Sequence, residues 1–316
     1  MNENNTNVLS ELSVENQTFY DRVLLERQLP ELHFYEDADK KVIPAGKGTS
    51  IEFRKFNSLP PATTPLTEGV TPTGKGVSVT KVTATAQQYG DYVEVSDVLQ
   101  TQAKDPVITE ESEVLGEQSG QTVDIITRDE VTSGTNVQYA NGKASQSALV
   151  STDVLTGREV RLAKARLKNA NIQPFADGCY HMVIDAAQEF DFKNDTASNG
   201  FTEVIKYAQA GALLDGEIGK FDGVRIKTSS NIETVEVGTT NKVQVHKAVI
   251  YGRHAYGVTS VKEGKGKATI IVKTLGSSGT ADPLNQRSTI GWKMFFVPKR
   301  LNELAIIRIE TGATAI

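Results

Sequence analysis

The 316-residue chain has one cysteine, one tryptophan and four histidines. With Cys179 alone, an intrachain disulfide framework and a multi-cysteine metal site are both excluded. Cys179 lies in the apolar run CYHMVID, where a small buried thiol is expected. His33, His181, His246 and His254 have no metal-ligand spacing, although His181 and Asp185 fall on one face of a predicted strand. No HExxH, GxSxG or paired-carboxylate pattern occurs, so no catalytic residue, cofactor or metal is assigned. Apolar runs stay far short of the ~20 residues that span a bilayer, and Met1 opens an Asn-rich polar stretch unlike a secretory signal. These absences predict a chain made in the cytosol with no membrane partner. A net charge of −5 and a pI near 5.6 give no general attraction for nucleic acid.

What the chain does have is one long helical stretch, Pro106 to Thr132. Asp105 is placed to cap it, Pro106 fits a first helical turn, and Glu110, Glu111 and Glu113 follow near the positive end of the dipole. At ~1.5 Å per residue it spans roughly 40 Å. Ser112, Gly116 and Gly120 recur every fourth residue and leave one face nearly flat, at ~1 kcal/mol of helix propensity per glycine. Close packing is the expected compensation. Ile108, Leu115, Thr122 and Ile126 form an adjoining apolar stripe, with Glu113, Glu117, Asp124 and Asp129 expected in water.

Upstream, Ser13 opens a short amphipathic helix that Pro30 closes, within an acidic stretch too thin to fold alone. From Met1 to Lys40 there are nine acids and three bases. Ile51, Phe53 and Phe56 then alternate with polar neighbours, as do residues from Val77 to Val95, and both runs predict strands. Between them, Pro60, Pro61, Pro65 and Pro72 exclude helix or central strand. A projecting hairpin results, too slender to hold its shape without something to lie on. Its segment Gly69 to Gly76, GVTPTGKG, mimics a phosphate loop but has Gly76 where Ser or Thr belongs and no following helix. Lys41 to Val95 carries six bases and four acids, whereas Asp97 to Thr132 carries two bases and nine acids. Hairpin and helix therefore have opposite local signs, and one copy's hairpin is expected over the helix of the next.

Downstream the reading is mixed. Thr152 or Asp153 is placed to cap a helix over Val154–Asn169 with Val160, Leu162, Ala163 and Leu167 buried. A second helix is predicted near Phe201–Leu213, and strands in CYHMVID, Lys242–Tyr256 and Lys267–Lys273. STIGWKMFFVPKRLNELAIIRIE is read as two strands joined at Pro298. A basic cluster (Lys262, Lys265, Lys267, Lys273, Arg287, Lys293, Lys299, Arg300) is expected to meet acidic surface of a neighbour. The fold class is α+β with long excursions.

Several runs together carry a resemblance: IEFRKFNSLPPATTPLTEGVTP, QYGDYVEVSD, LGEQSGQTVDIITRDEVTSGTNVQYANG, YGRHAYGV and TLGSSGTADPLNQRSTIGWK. In that order they resemble tailed-bacteriophage major capsid proteins. The resemblance implies the shell fold shared by tailed phages, encapsulins and the floor of herpesvirus capsids. It implies an N-terminal arm (1–50), an extended two-stranded loop (51–96), a peripheral domain (97–153 and 258–316) built on a spine helix (106–132), and an axial domain (154–257). The terminal strands are expected in the peripheral domain. It further implies hexamers and pentamers in an icosahedral virion shell assembled in the host bacterial cytoplasm. The implied partners are double-stranded DNA held by weak, non-specific contact, portal and scaffolding proteins, and decoration proteins. No long charged scaffolding segment precedes the arm, so either scaffolding comes from a separate protein, the expectation that Met1 favours, or this chain is the mature form. The expected subunit-contact residues are Arg54, Lys55, Phe56, Thr64, Leu66, Glu68 and Lys75 on the loop and Ser112, Gly116 and Gly120 on the helix. Two other classes stay open: an encapsulin-like compartment, and a β-rich decoration or adhesion protein.

Overall fold

A computed structural model describes residues 33–314 apart from 45, 47, 58, 98–106, 196–218, 239–241, 262–267, 275 and 278–282. The helices predicted over Ser13–Pro30 and Phe201–Leu213, and the cap at Asp105, lie outside the described residues.

The long helix α2 (Val107–Thr132) runs unbroken, as its composition predicts. It lies on a five-stranded sheet whose centre is β13 (Arg287–Arg300). Ser288, Ile290, Trp292, Met294 and Phe296 are all buried, the period-2 pattern of a strand with one face on a core. Leu115, Val123 and Val131 of α2 join that core. Trp292 donates its indole N–H to Gln118 Oε1 at 3.0 Å, and Gln118 Nε2 donates to Asp91 Oδ2 at 2.7 Å, tying helix to sheet.

One edge of β13 carries β4 (Gln87–Ser96), and the other carries β12 (Thr269–Lys273) and then β11 (Tyr256–Val261). Strand β1 (Asp39–Ile43) pairs in parallel outside β11. The break predicted at Pro298 is not there. Pro298 pairs with Val258 inside β13, and β4 ends its pairing at Phe296, so the missing N–H falls where one strand edge is free.

A seven-stranded sheet forms the second half, in the order β5 (Val137–Tyr139), β14 (Ile306–Thr311), β10 (Val243–Tyr251), β6 (Tyr180–Ile184), β8 (Val224–Thr228) and β7 (Gly219–Phe221). Strand β9 (Thr234–Val237) pairs with the first part of β10. Helix α3 (Gly157–Asn169) buries Val160, Ala163 and Leu167 against this sheet, while Leu162 is exposed because it lies off their i, i+3, i+7 stripe. Asp153 does not cap the helix. It is buried and takes hydrogen bonds from Val150 N and Asn141 Nδ2, at 3.0 and 3.1 Å. The last strand, β14, was expected in the peripheral part but pairs with β10, completing the second sheet.

Residues 33–43, expected in the arm, are built into the subunit. Helix α1 (His33–Glu36) packs on α2 with Phe34 fully buried. Asp124, expected in water, is fully buried and accepts hydrogen bonds from Phe34 N at 2.9 Å and Asn231 Nδ2 at 3.3 Å. It extends the Ser112, Gly116, Gly120 row by one more step of four, so the row that looks flat in sequence ends in a carboxylate anchoring α1. Burial raises the Asp124 pKa above its ordinary value, against the smaller opposing effect of these hydrogen bonds.

Candidate subunit interface

The hairpin forms as an isolated two-stranded sheet of β2 (Ser50–Phe56) and β3 (Val79–Thr85), in register from Ser50 opposite Thr85 to Phe56 opposite Val79. The predicted second strand is thus divided at Ala86: β3 stays in the hairpin, and β4 belongs to the five-stranded sheet. Cross-strand groups fix the register. Glu52 of β2 takes Lys81 Nζ of β3 at 3.4 Å, and the Asn57 amide donates to Ser78 Oγ and Thr80 Oγ1, while Arg54 Nε holds Glu52 at 2.5 Å from within β2. Arg54 and Lys81 draw the Glu52 pKa below its ordinary value.

Beyond Asn57 the tip is different in kind. The described residues between 57 and 78 are all exposed, and two local backbone bonds, Thr63 N to Pro61 O and Val70 N to Thr67 O, are what shape it. The phosphate-loop mimic Gly69–Gly76 is exposed coil followed by β3, so no helix N-terminus meets it. Phe56 is 71% exposed, Leu66 78% and Val70 63%, with Leu59, Val77 and Val79 also exposed. Fully burying such side chains contributes ~1.5–3 kcal/mol each, so six partly covered ones offer roughly 5–10 kcal/mol gross if something closes over them. Association itself costs about 4–15 kcal/mol. One hairpin is therefore marginal, and several acting at once are needed.

Of the expected contact residues, the structure gathers Arg54, Lys55, Phe56, Thr64, Leu66, Glu68 and Lys75 on this hairpin, all exposed. Ser112, Gly116 and Gly120 do not join them. All three are buried within their own subunit, so the flat face is used for intrachain packing and is not open to a neighbour. Among its described residues α2 exposes Val114 (63%), Glu117 and Asp129. Sequence reasoning did not single out Leu59, Val70, Val77, Val79 or Val114. The signal for the first four was apolar residues recurring in a proline-rich stretch that has no core of its own.

Three of the described members of the C-terminal basic cluster find acidic partners at home. Lys299 Nζ lies 2.9 Å from Glu130 of α2, Arg300 Nη1 2.8 Å from Glu303, and Arg287 3.6 Å from Glu94. Three of the four histidines also bind carboxylates. His246 Nδ1 is 2.8 Å from Asp185, His254 Nδ1 2.7 Å from Asp39, and His181 sits 2.9 Å from Asp37 and 3.2 Å from Asp177. His181 and Asp185 thus take different partners, because Asp185 has left the strand to cap the helix α4 (Ala186–Lys193). Among the described residues no group of three His, Cys, Asp or Glu is arranged for a metal, and no helix is long and apolar enough to cross a membrane.

A sequence profile of the family described as phage capsid protein matches residues 79–309, well over half of the chain. Comparison with curated protein sequences gives no match. Among solved structures, the cyanophage Pam1 capsid asymmetric unit is similar at a TM-score of 0.69 and 14% identity, covering 100% of this chain and 97% of that one. The capsid of Ralstonia phage GP4 gives 0.68 and 12%, covering 88% and 87%. A virus-like particle from Pyrococcus furiosus gives 0.55 and 14%, covering 94% and 100%.

Proposed function

The chain belongs to the phage capsid protein family and is a capsid shell protein, and from that premise we propose that it is the major capsid protein of a tailed phage. Its hexamers and pentamers tile an icosahedral shell around double-stranded DNA. The observation that carries this reading is the hairpin: six exposed large apolar side chains on a two-stranded sheet that no other strand pairs with among the described residues. A subunit built this way gains most of its hairpin's order from a neighbour. The half formed by the five-stranded sheet and α2 serves as the peripheral domain, now including β1 and β4, and the seven-stranded sheet, including β14, serves as the axial domain. The acidic balance suits a container that holds DNA by weak, non-specific contact. Portal, scaffolding and decoration proteins are the further partners this role calls for.

A protein compartment of the encapsulin type is the second reading, supported by the full-length fold match to the Pyrococcus particle. Nuclease-protected DNA in purified particles supports the first reading, and an enclosed protein cargo the second. The hairpin's role is tested by deleting Ser58–Gly76. The subunit is expected to fold, with native circular dichroism, and to form no closed shells. Normal shells from this deletion would remove the hairpin from the account.

A further inference from the structure

Strand β1 ends the five-stranded sheet, and among the described residues no strand pairs with its outer edge. Lys40, Lys41 and Val42 are exposed along it. An open edge presents a row of backbone donors and acceptors on which another chain can template. Lysines on such an edge discourage indiscriminate pairing, but two further features single out this one.

A hollow lies on each face of the edge. On the face of Asp39 and Lys41, a groove of about 700 Å³ separates β1 from the base of the hairpin, with Phe53, Val82, Ile172 and Leu301 as its apolar wall. On the opposite face a smaller hollow of about 250 Å³ has Tyr35, Val42, Val258 and Phe296 as its apolar lining, with Lys40, Lys41 and Ser260 completing its wall. A strand laid beside β1 sends alternate side chains to opposite faces, one set into each hollow. The groove is also charged in one sense. Its carboxylates are already engaged, Asp39 by His254 at 2.7 Å and Glu52 by Arg54 at 2.5 Å. Lys41, Lys55 and Arg253 line it with no carboxylate partner among the described residues. Lys55 and Arg253 are exposed.

We infer that the outer edge of β1 binds an extended peptide segment of a partner protein, with carboxylate side chains on one face of the strand and apolar side chains on the other. The segment adds to the sheet beside β1. Its acidic side chains enter the groove of Lys41, Lys55 and Arg253, and its apolar ones fill the hollow at Val42 and Phe296. A nucleic-acid strand could use the three cations but has neither the backbone to pair with β1 nor alternating apolar groups for the second hollow. This site is separate from the hairpin tip, and it does not depend on whether the chain closes shells by itself.

The test uses the full chain and a fluorescein-labelled peptide, Glu-Val-Glu-Leu-Glu-Val-Glu, followed by anisotropy at low ionic strength. Saturable binding is expected, with protection of the 39–43 amides in hydrogen exchange. A scrambled peptide of the same composition is expected to bind about tenfold more weakly, a loss of ~1.4 kcal/mol. The double variant Lys55→Glu, Arg253→Glu, altered at two exposed positions, is expected to lose at least as much while keeping its circular dichroism. Equal binding of the scrambled peptide, unchanged binding by the double variant, or tighter binding of a short DNA duplex than of the peptide each overturns the inference.

Discussion

Asp37 offers the sharpest quantitative prediction, because it joins the segment between α1 and β1 to the second sheet. Its carboxylate lies 2.9 Å from His181 Nδ1 on β6, accepts a hydrogen bond from Tyr251 Oη on β10 at 2.8 Å, and sits 3.4 Å from Lys227 Nζ on β8. Its side chain is about 10% exposed. Replacing Asp37 with Ala leaves the buried Tyr251 hydroxyl without its acceptor, at ~1–3 kcal/mol. It also removes a buried counter-charge, which alone costs ~3–5 kcal/mol where no other partner is at hand. Other partners are at hand: Lys227 keeps Glu36 at 3.2 Å and His181 keeps Asp177 at 3.2 Å. The expected loss for Asp37→Ala is therefore roughly 2–4 kcal/mol. Asp37→Asn retains an acceptor for Tyr251 and should lose about half of that. Glu36→Gln, at a side chain 58% exposed, should lose less than ~1 kcal/mol. Urea unfolding followed by circular dichroism measures the series. If Asp37→Ala is no worse than Glu36→Gln, the reasoning fails.

Acid should reveal the same cluster. Burial alone would raise the Asp37 pKa, but His181, Lys227 and Tyr251 more than offset it, and the net shift is below the ordinary value of 3.8. A depressed carboxylate contributes stability above its unfolded value and loses it as pH falls through the folded one. The gap between wild type and Asp37→Asn should hold near neutrality and shrink below pH 3.8; a gap that widens in acid contradicts the assignment. Gly116→Leu should lower the melting temperature more than Glu117→Leu, since it over-packs a buried face by ~1–3 kcal/mol while position 117 is exposed; equal melting temperatures would sink that reading. Leu66→Asp together with Val70→Asp should leave the subunit melting unchanged and abolish shell formation, because both side chains are exposed in the isolated chain. Assembly that proceeds normally would show that the tip is not a contact.

The long helix, the hairpin and the proline-rich tip were legible because each has a local cause. Twenty-six residues without a proline make α2, and proline with alternating apolar residues makes the hairpin. Non-local pairing was not legible. Whether the chain between Ala86 and Ser96 stays with the hairpin or joins β13 depends on a partner two hundred residues away, and the local alternation is the same in either case. Asp124 was misplaced for a related reason: a carboxylate in a helix is ordinarily solvated, and α1 folding back, together with distant Asn231, supplies the N–H groups that allow its burial. Pro298 misled because its cost depends on which edge of the strand is paired. For the candidate site, the exposure of the loop residues was legible in the fragility of an unsupported hairpin. Ser112, Gly116 and Gly120 were assigned to an interface because a flat helix face in sequence does not say whether its own chain or another copy closes it.

Whether this chain builds a shell is read by sedimentation combined with negative-stain microscopy. The full chain, co-expressed with the genes that flank its own, should sediment as closed particles with five- and six-fold capsomers. A compact monomer under those conditions, with a hairpin tip resistant to protease, would contradict the account.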